Sequence, residues 1–323
     1  MIILNLLYLV IGIYILVKGA DFLVSGSTSI ARKYNVSSMI IGLTIVAFGT
    51  SMPELMVNVI SSLKGSSGIA LGNIIGSNIS NTLLILGIAG MMKTVHVKRS
   101  VLNKELPFSI FSILLLLLVI ISYNSSGSSV YLSRVDGFIL LSFFVLFVIY
   151  LFQTARRTEL KPIEKEVESY NKMSITQGMG YVVLGIIGLY LGSKWTVSNA
   201  VIISQAIGLS EFVISASIIA LGTSLPELVT TIVATKSNEI DLAVGNIVGS
   251  NIFNILWILG VTSLIKPIPI TKFVTLDLRI LLAVSIFFWI TILLGESETI
   301  DKKKGLMYVL LYCSYIIFIF IRN

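Results

Sequence analysis

Two glutamates in this 323-residue chain stand where charge is rarely found: Glu54 and Glu227 each follow a proline inside an otherwise apolar stretch. Hydroxyls precede both acids, Thr50 and Ser51 before Glu54, Thr223 and Ser224 before Glu227. On a continuous helix these fall at i−4 and i−3 and share the face of the acid. Further oxygens come from Ser77 with Asn81 and from Ser250 with Asn254, each pair spaced i, i+4. Pro53 and Pro226 lack an N–H and clash with the carbonyl four residues back, which frees the carbonyls of Gly49 and Gly222. In a membrane, helices broken in this way are tolerated only where the loosened backbone is buried in protein or lines a cavity. Carboxylates, hydroxyls, amide oxygens and carbonyls form an all-oxygen set. It suits Ca2+, which takes about 6 to 8 oxygens, and equally Na+, but not zinc or copper. A buried carboxylate is expensive, and no lysine or arginine shares either stretch, so the compensating positive charge is expected to be a cation.

The pattern occurs twice. GTSMPEL at 49–55 recurs as GTSLPEL at 222–228, and GNIIGSNISN at 72–81 recurs as GNIVGSNIFN at 245–254, both shifted by 173 residues. Tyr8 with Tyr181, Gly12 with Gly185, Ser25 with Ser198 and Ser37 with Ser210 keep the same shift, so the chain is a duplicated unit. Single elements of it have plainer readings. Gly72 with Gly76, and Gly245 with Gly249, are small-xxx-small patterns that can mean only close helix packing. Serines and threonines in membrane helices usually bond back to their own helix. The two acids differ, because an ionisable residue inside a membrane is functional by default.

With 55% hydrophobic and 12% charged residues and a mean hydropathy of +0.97, the chain belongs in a bilayer. A span needs about 20 apolar residues. Ten candidate segments lie near 2–17, 38–60, 69–91, 106–122, 137–152, 178–192, 212–235, 242–265, 278–295 and 305–321, five per copy. The semipolar stretches 18–31 and 193–205 could extend the first and sixth as tilted helices. The first segment is kept as a span, since no basic residue precedes it and no small-residue cleavage site follows. Cys313 and His96 are each the sole residue of their kind, which excludes an intrachain disulfide and a cysteine cluster. The net charge of +7 is a topology signal rather than a nucleic-acid footprint: with both termini outside, 16 of the 23 lysines and arginines fall on the cytoplasmic side. Five spans per copy is an odd number, so the copies enter the membrane in opposite directions. The expected fold is therefore an all-α polytopic membrane protein of ten transmembrane helices in two inverted five-helix repeats, 1–152 and 178–323. A charged cytoplasmic linker, 153–177, joins them.

The paired GTSxPEL and GNxxGSN motifs resemble the alpha repeats of the sodium/calcium exchanger family of cation/calcium antiporters, in its compact prokaryotic form, over essentially the whole chain. The resemblance implies an antiporter of the cell membrane that exchanges Na+ for Ca2+, with the second, third, seventh and eighth helices around the ions and the first and sixth sliding across them. Matched by position, Glu54, Glu227, Thr50 and Thr223 would hold Ca2+. Ser51, Ser77, Ser224, Ser250 and the backbone at Ala47 and Ala220 would help to hold Na+. At 254 the compact archaeal and potassium-dependent members carry aspartate; Asn254 resembles animal exchangers that need no potassium. The proton/calcium branch has glycine-asparagine before its glutamate, whereas Gly49-Thr50-Ser51 and Gly222-Thr223-Ser224 stand here, which favours sodium. No cofactor, nucleic acid or obligate protein partner is expected, only the transported ions and the bilayer. Proton- or potassium-coupled exchange, a channel, and an intramembrane hydrolase with a shared-proton dyad are the alternatives.

Overall fold

The computed structural model describes residues 2–63, 68–124, 131–158, 173–206, 220–270, 272–295 and 298–322. Eight helices among them are long and apolar enough to cross a bilayer, and the bent pair Ser38–Thr50 and Met52–Leu63 makes a ninth if counted as one span. These match nine of the ten expected segments. The remaining one, 212–235, falls partly outside the described residues; its described part is Ala220–Thr223 and Leu225–Lys236. The expected linker is partly helix, because the fifth span runs on to Thr158 and the sixth begins at Ile175. Local signals set these ends. Ser133 and Asp136 cap reciprocally, the Ser133 N–H donating to Asp136 Oδ2 at 2.7 Å and the Asp136 N–H to Ser133 Oγ at 3.3 Å. Ser174 and Gln177 repeat that box at the start of the sixth span.

Two compact units emerge, and each draws on both copies of the repeat. The first holds Met1–Thr50 and Tyr150–Asn246. Its frame is two helices of 32 residues, Ile2–Lys33 and Ile175–Ala206, so the semipolar extensions of the first and sixth spans are helical. At 1.5 Å per residue each is roughly 48 Å long, more than a bilayer core needs when upright. They pack on glycines at seven-residue spacing, Gly12, Gly19 and Gly26 against Gly178, Gly185 and Gly192. A Cβ on Gly19 would lie 2.6 Å from the Leu189 nitrogen, and one on Gly192 2.5 Å from that of Leu16. Positions rise on one helix as they fall on the other, so the pair is antiparallel. Small residues permit this approach where no hydrophobic force drives helices together. Leu16, Leu23, Val24, Val182 and Leu189 fill the core beside them, with Val233 and Ala234 from the helix Leu225–Lys236.

The second unit holds Ser51–Ile149 and Ile247–Asn323. Two antiparallel ladders that hydropathy patterning does not show tie its helix ends: Val95–His96 pairs with Thr299–Ile300, and Tyr131–Leu132 with Ile268–Pro269. Two residues are too few for a period-2 pattern to register. Arg99 Nε donates to Glu298 Oε1 at 2.6 Å beside the first ladder, and Arg322 forks onto both carboxylate oxygens of Asp277 at 2.6 and 3.1 Å. Phe138 and Leu118 turn 67% and 65% of their surface outward, as helices solvated by lipid do. The spans that carry GNxxGSN are the opposite: Ala70–Met92 and Ile240–Ile265 are 78% and 83% buried over their apolar windows.

Candidate functional site

Both proline-glutamate motifs interrupt a helix at the serine. Ala47–Thr50 ends, Ser51 makes a turn, and Met52–Leu63 begins; Ala220–Thr223, Ser224 and Leu225–Lys236 follow the same course. The proline then occupies the first turn of the new helix, where a missing N–H does no harm. Leu55 N–H bonds Ser51 O at 3.2 Å and Leu228 N–H bonds Ser224 O at 3.0 Å, restarting each ladder. Glu54 and Glu227, both fully buried, therefore sit in first turns, at the positive end of the helix dipole. This corrects the expectation that Thr50 and Thr223 share one continuous helical face with the acids. Ser-x-x-Glu also reads as a capping box, but the Ser224 side chain makes no cap bond; Ser51 Oγ donates to Ser250 Oγ at 3.0 Å.

In the first unit Thr50, Thr223, Ser224 and Glu227 are all buried. Thr50 Oγ1 donates to Asn246 Oδ1 at 2.9 Å and lies 3.4 Å from the Ala47 carbonyl, while Asn246 Nδ2 donates to Thr231 Oγ1 at 3.3 Å. The backbone at Ala220 opens the helix Ala220–Thr223. The Gly222 carbonyl that Pro226 frees accepts from Ser193 Oγ at 2.8 Å. A freed carbonyl was expected there, and a hydroxyl from the sixth span already serves it.

In the second unit Glu54 Oε1 receives a long hydrogen bond, 3.5 Å, from Ser77 Oγ. Asn81 and Asn254 lie in π-helical segments, Ser80–Ile85 and Phe253–Ile258, that superimpose under the 173-residue shift. Single π turns inside α-helices frequently mark functional sites, and here they replace the regular i, i+4 geometry expected of Ser77 with Asn81 and Ser250 with Asn254. Asn81 Oδ1 and Asn254 Oδ1 are both buried and accept no hydrogen bond among the described residues. Buried amide oxygens without a donor are uncommon; as ligands they suit hard cations.

The sodium/calcium exchanger protein family matches residues 4–153 and 177–321, nearly the whole chain. The chain belongs to the sodium/calcium exchanger family. Among its relatives, the inner membrane protein YrbG of Escherichia coli (strain K12) is 36% identical over 286 residues, 87% of this chain and 86% of YrbG. The sodium/calcium exchanger MaX1 of Methanosarcina acetivorans is 29% identical over 361 residues, 99% of each chain. The solved structure of the sodium-calcium exchanger NCX_Mj soaked with 10 mM Na+ and zero Ca2+ matches with a TM-score of 0.82 at 30% identity, covering 98% of this chain and 99% of that one. As a member of this family the chain is a cation/Ca2+ antiporter, a secondary transporter and not an enzyme, embedded in a membrane as a multi-pass protein. That closes the hydrolase reading.

Within this exchanger, the glycine motifs do not all act alike. A Cβ on Gly245 would meet the Met39 carbonyl at 2.6 Å, whereas at Gly72 and Gly76 no described atom lies within 4 Å. Residue types and spacing singled out neither Asn78, Asn251 and Asn246 nor Asn58, whose Oδ1 accepts from Asn73 Nδ2 at 3.2 Å. The first three lie inside or beside the duplicated GNxxGSN motifs. The duplication itself was the signal that could have found them.

Proposed function

We propose that this exchanger moves Na+ against Ca2+ by alternating access, with the carboxylates of Glu54 and Glu227 as the charged ligands that both ions need. Thr50 and Thr223 complete the Ca2+ set. Ser51, Ser77, Ser224, Ser250, the amide oxygens of Asn81 and Asn254 and the backbone at Ala47 and Ala220 serve Na+ and the remaining coordination. The observation that carries this reading is the duplicated helix break, which puts a fully buried glutamate at the start of a helix once in each copy. An empty site would leave two bare carboxylates in low dielectric while the protein changes sides, whereas a loaded site is neutralised. Ions that need the same two acids exclude each other, and that exclusion with the forbidden empty crossing makes exchange obligatory.

Ten spans in two inverted five-helix copies, 1–152 and 178–323 about a cytoplasmic 153–177, with both termini outside the cell membrane, complete the proposal. Support comes from the helices Ile2–Lys33 and Ile175–Ala206, equivalent under the 173-residue shift and packed antiparallel. The test is Ca2+ uptake by proteoliposomes loaded with Na+ against proteoliposomes without a gradient. Uptake should require the gradient and vanish in Glu54→Gln and Glu227→Gln, which keep shape and remove one charge. Near-normal flux in either variant would end the carboxylate-pair reading.

A further inference from the structure

Four asparagines of the GNxxGSN region, all buried in the second unit, form one hydrogen-bonded network. Asn78 and Asn251 are equivalent under the 173-residue shift, as are Asn81 and Asn254. An amide is ambiguous by itself, since oxygen and nitrogen can exchange places, but here two backbone carbonyls settle the direction of every bond. Asn78 Nδ2 faces the Asn251 carbonyl at 3.1 Å, which can only accept. Asn78 must therefore turn Oδ1 the other way, where it takes a bond from Asn254 Nδ2 at 2.8 Å. Thr82 Oγ1 spends its proton on the Asn78 carbonyl at 2.8 Å, so it accepts from Asn251 Nδ2 at 3.0 Å. Asn251 Oδ1 then faces Asn81 Nδ2, which donates to it at 3.1 Å. Both chains of reasoning end alike: Asn254 and Asn81 commit their NH2 groups to the network, and their oxygens are the atoms left buried without a donor.

We propose that Asn78 and Asn251 are positioning residues, each locking the amide of the ligand asparagine from the opposite copy, Asn254 and Asn81 respectively, so that both amide oxygens are held ready for the transported cation. The inference rests on the exchange reading for what the oxygens bind, and on hydrogen-bond direction alone for how they are held. A flipped amide would present an NH2 to a cation. The lock prevents that, in the way outer-shell partners fix the orientation of metal ligands.

The pairing is what a merely structural role would not reproduce. In proteoliposomes, Asn78→Ala should raise KM for Ca2+ about tenfold with little change in kcat, the usual scale for loss of an outer-shell partner. Added to Asn254→Ala it should cost nothing further, while added to Asn81→Ala it should cost its full amount. Asn251→Ala should show the mirror image, silent on Asn81→Ala and fully additive on Asn254→Ala. Coupling of equal size in the matched and mismatched pairs overturns the lock. If Asn78→Ala does not fold, Asn78→Ser takes its place. A neutron structure of the Asn78 variant, which tells amide oxygen from deuterated nitrogen, should show the Asn254 amide turned from its present direction, and an amide that keeps that direction overturns the lock whatever the vesicles do. Wild-type vesicles without Na+-dependent Ca2+ uptake would overturn the exchange reading alone, and that structure would still decide the lock.

Discussion

Gly192→Ala should destabilise this exchanger, although replacing glycine by alanine inside a helix ordinarily stabilises by about 0.5–1 kcal/mol. The added Cβ would lie 2.5 Å from Leu16 N, 2.7 Å from Leu16 Cα and 2.9 Å from Gly12 O. Every one of these is backbone, so no side chain can swing aside. Ordinary contact begins near 3.4 Å, and 3.4 less 2.5 means the two long helices must part by roughly 0.9 Å, an overpacking that typically costs about 1–3 kcal/mol. Set against the propensity gain, the net loss is up to about 2.5 kcal/mol. Gly180 is the internal control. It is exposed on the same helix, no described atom lies within 4 Å of its Cβ position, and Gly180→Ala should therefore stabilise. Thermal unfolding of both variants in one detergent gives the answer as a pair of opposite signs. A Gly192→Ala protein that melts as high as Gly180→Ala would refute the close antiparallel packing of Ile2–Lys33 on Ile175–Ala206.

Three further outcomes are expected. Asn254→Asp places a carboxyl opposite Asn78 Oδ1, an acceptor, and can keep that bond only when protonated; losing it costs about 1–3 kcal/mol, so Ca2+ exchange should become more pH-dependent, with protons competing as pH falls. Superimposable pH profiles under a fixed Na+ gradient would show that the network does not act on position 254. Ser193→Ala leaves the Gly222 carbonyl without its hydroxyl and should lower the unfolding temperature by the equivalent of about 1–3 kcal/mol; an unchanged melting curve would mean that the bond carries no stability. A cysteine at Glu164 in a Cys313→Ser background should react with impermeant reagents only from the cytoplasm, and labelling of intact cells from outside would reverse the proposed orientation.

What could be read from the sequence is what the duplication repeats. The register of 173 residues placed both buried glutamates, both prolines and both long helices, because composition and residue identity survive without knowledge of neighbours. The break at Ser51 and Ser224 was half legible: proline announced it, but a proline in the first turn of a new helix and a proline kinking a continuous one look the same in a string of letters. The π turns that carry Asn81 and Asn254 left no signal, since no residue type marks an extra residue in a helical turn. Hydrogen-bond direction was hidden for a deeper reason. Whether Asn254 leaves oxygen or nitrogen open depends on Asn78, and Asn78 depends on a backbone carbonyl at residue 251, so the direction of an amide in one copy is decided by a residue of the other.

The places where the copies differ have the most to say about how two related halves come to behave differently. Ser193 serves the Gly222 carbonyl, yet its counterpart one repeat earlier is Ala20, which has no hydroxyl to offer Gly49. Thr82 orients Asn251, and its counterpart is Ile255. Asn58 and Ser62, one and two turns beyond Glu54, are buried, and Asn58 Nδ2 and Ser62 Oγ have no hydrogen-bond partner among the described residues. Their counterparts beyond Glu227 are Thr231 and Thr235, where Thr235 Oγ1 bonds back to the Thr231 carbonyl at 2.7 Å and Thr231 Oγ1 accepts from Asn246. Thr230 Oγ1, whose counterpart is Val57, is likewise buried with no hydrogen-bond partner among the described residues, so the two copies leave polar atoms open at different turns of the helix that carries each glutamate. Under the proposed exchange, substitutions confined to one copy are the means by which a duplicated chain makes the surroundings of its two glutamates unequal.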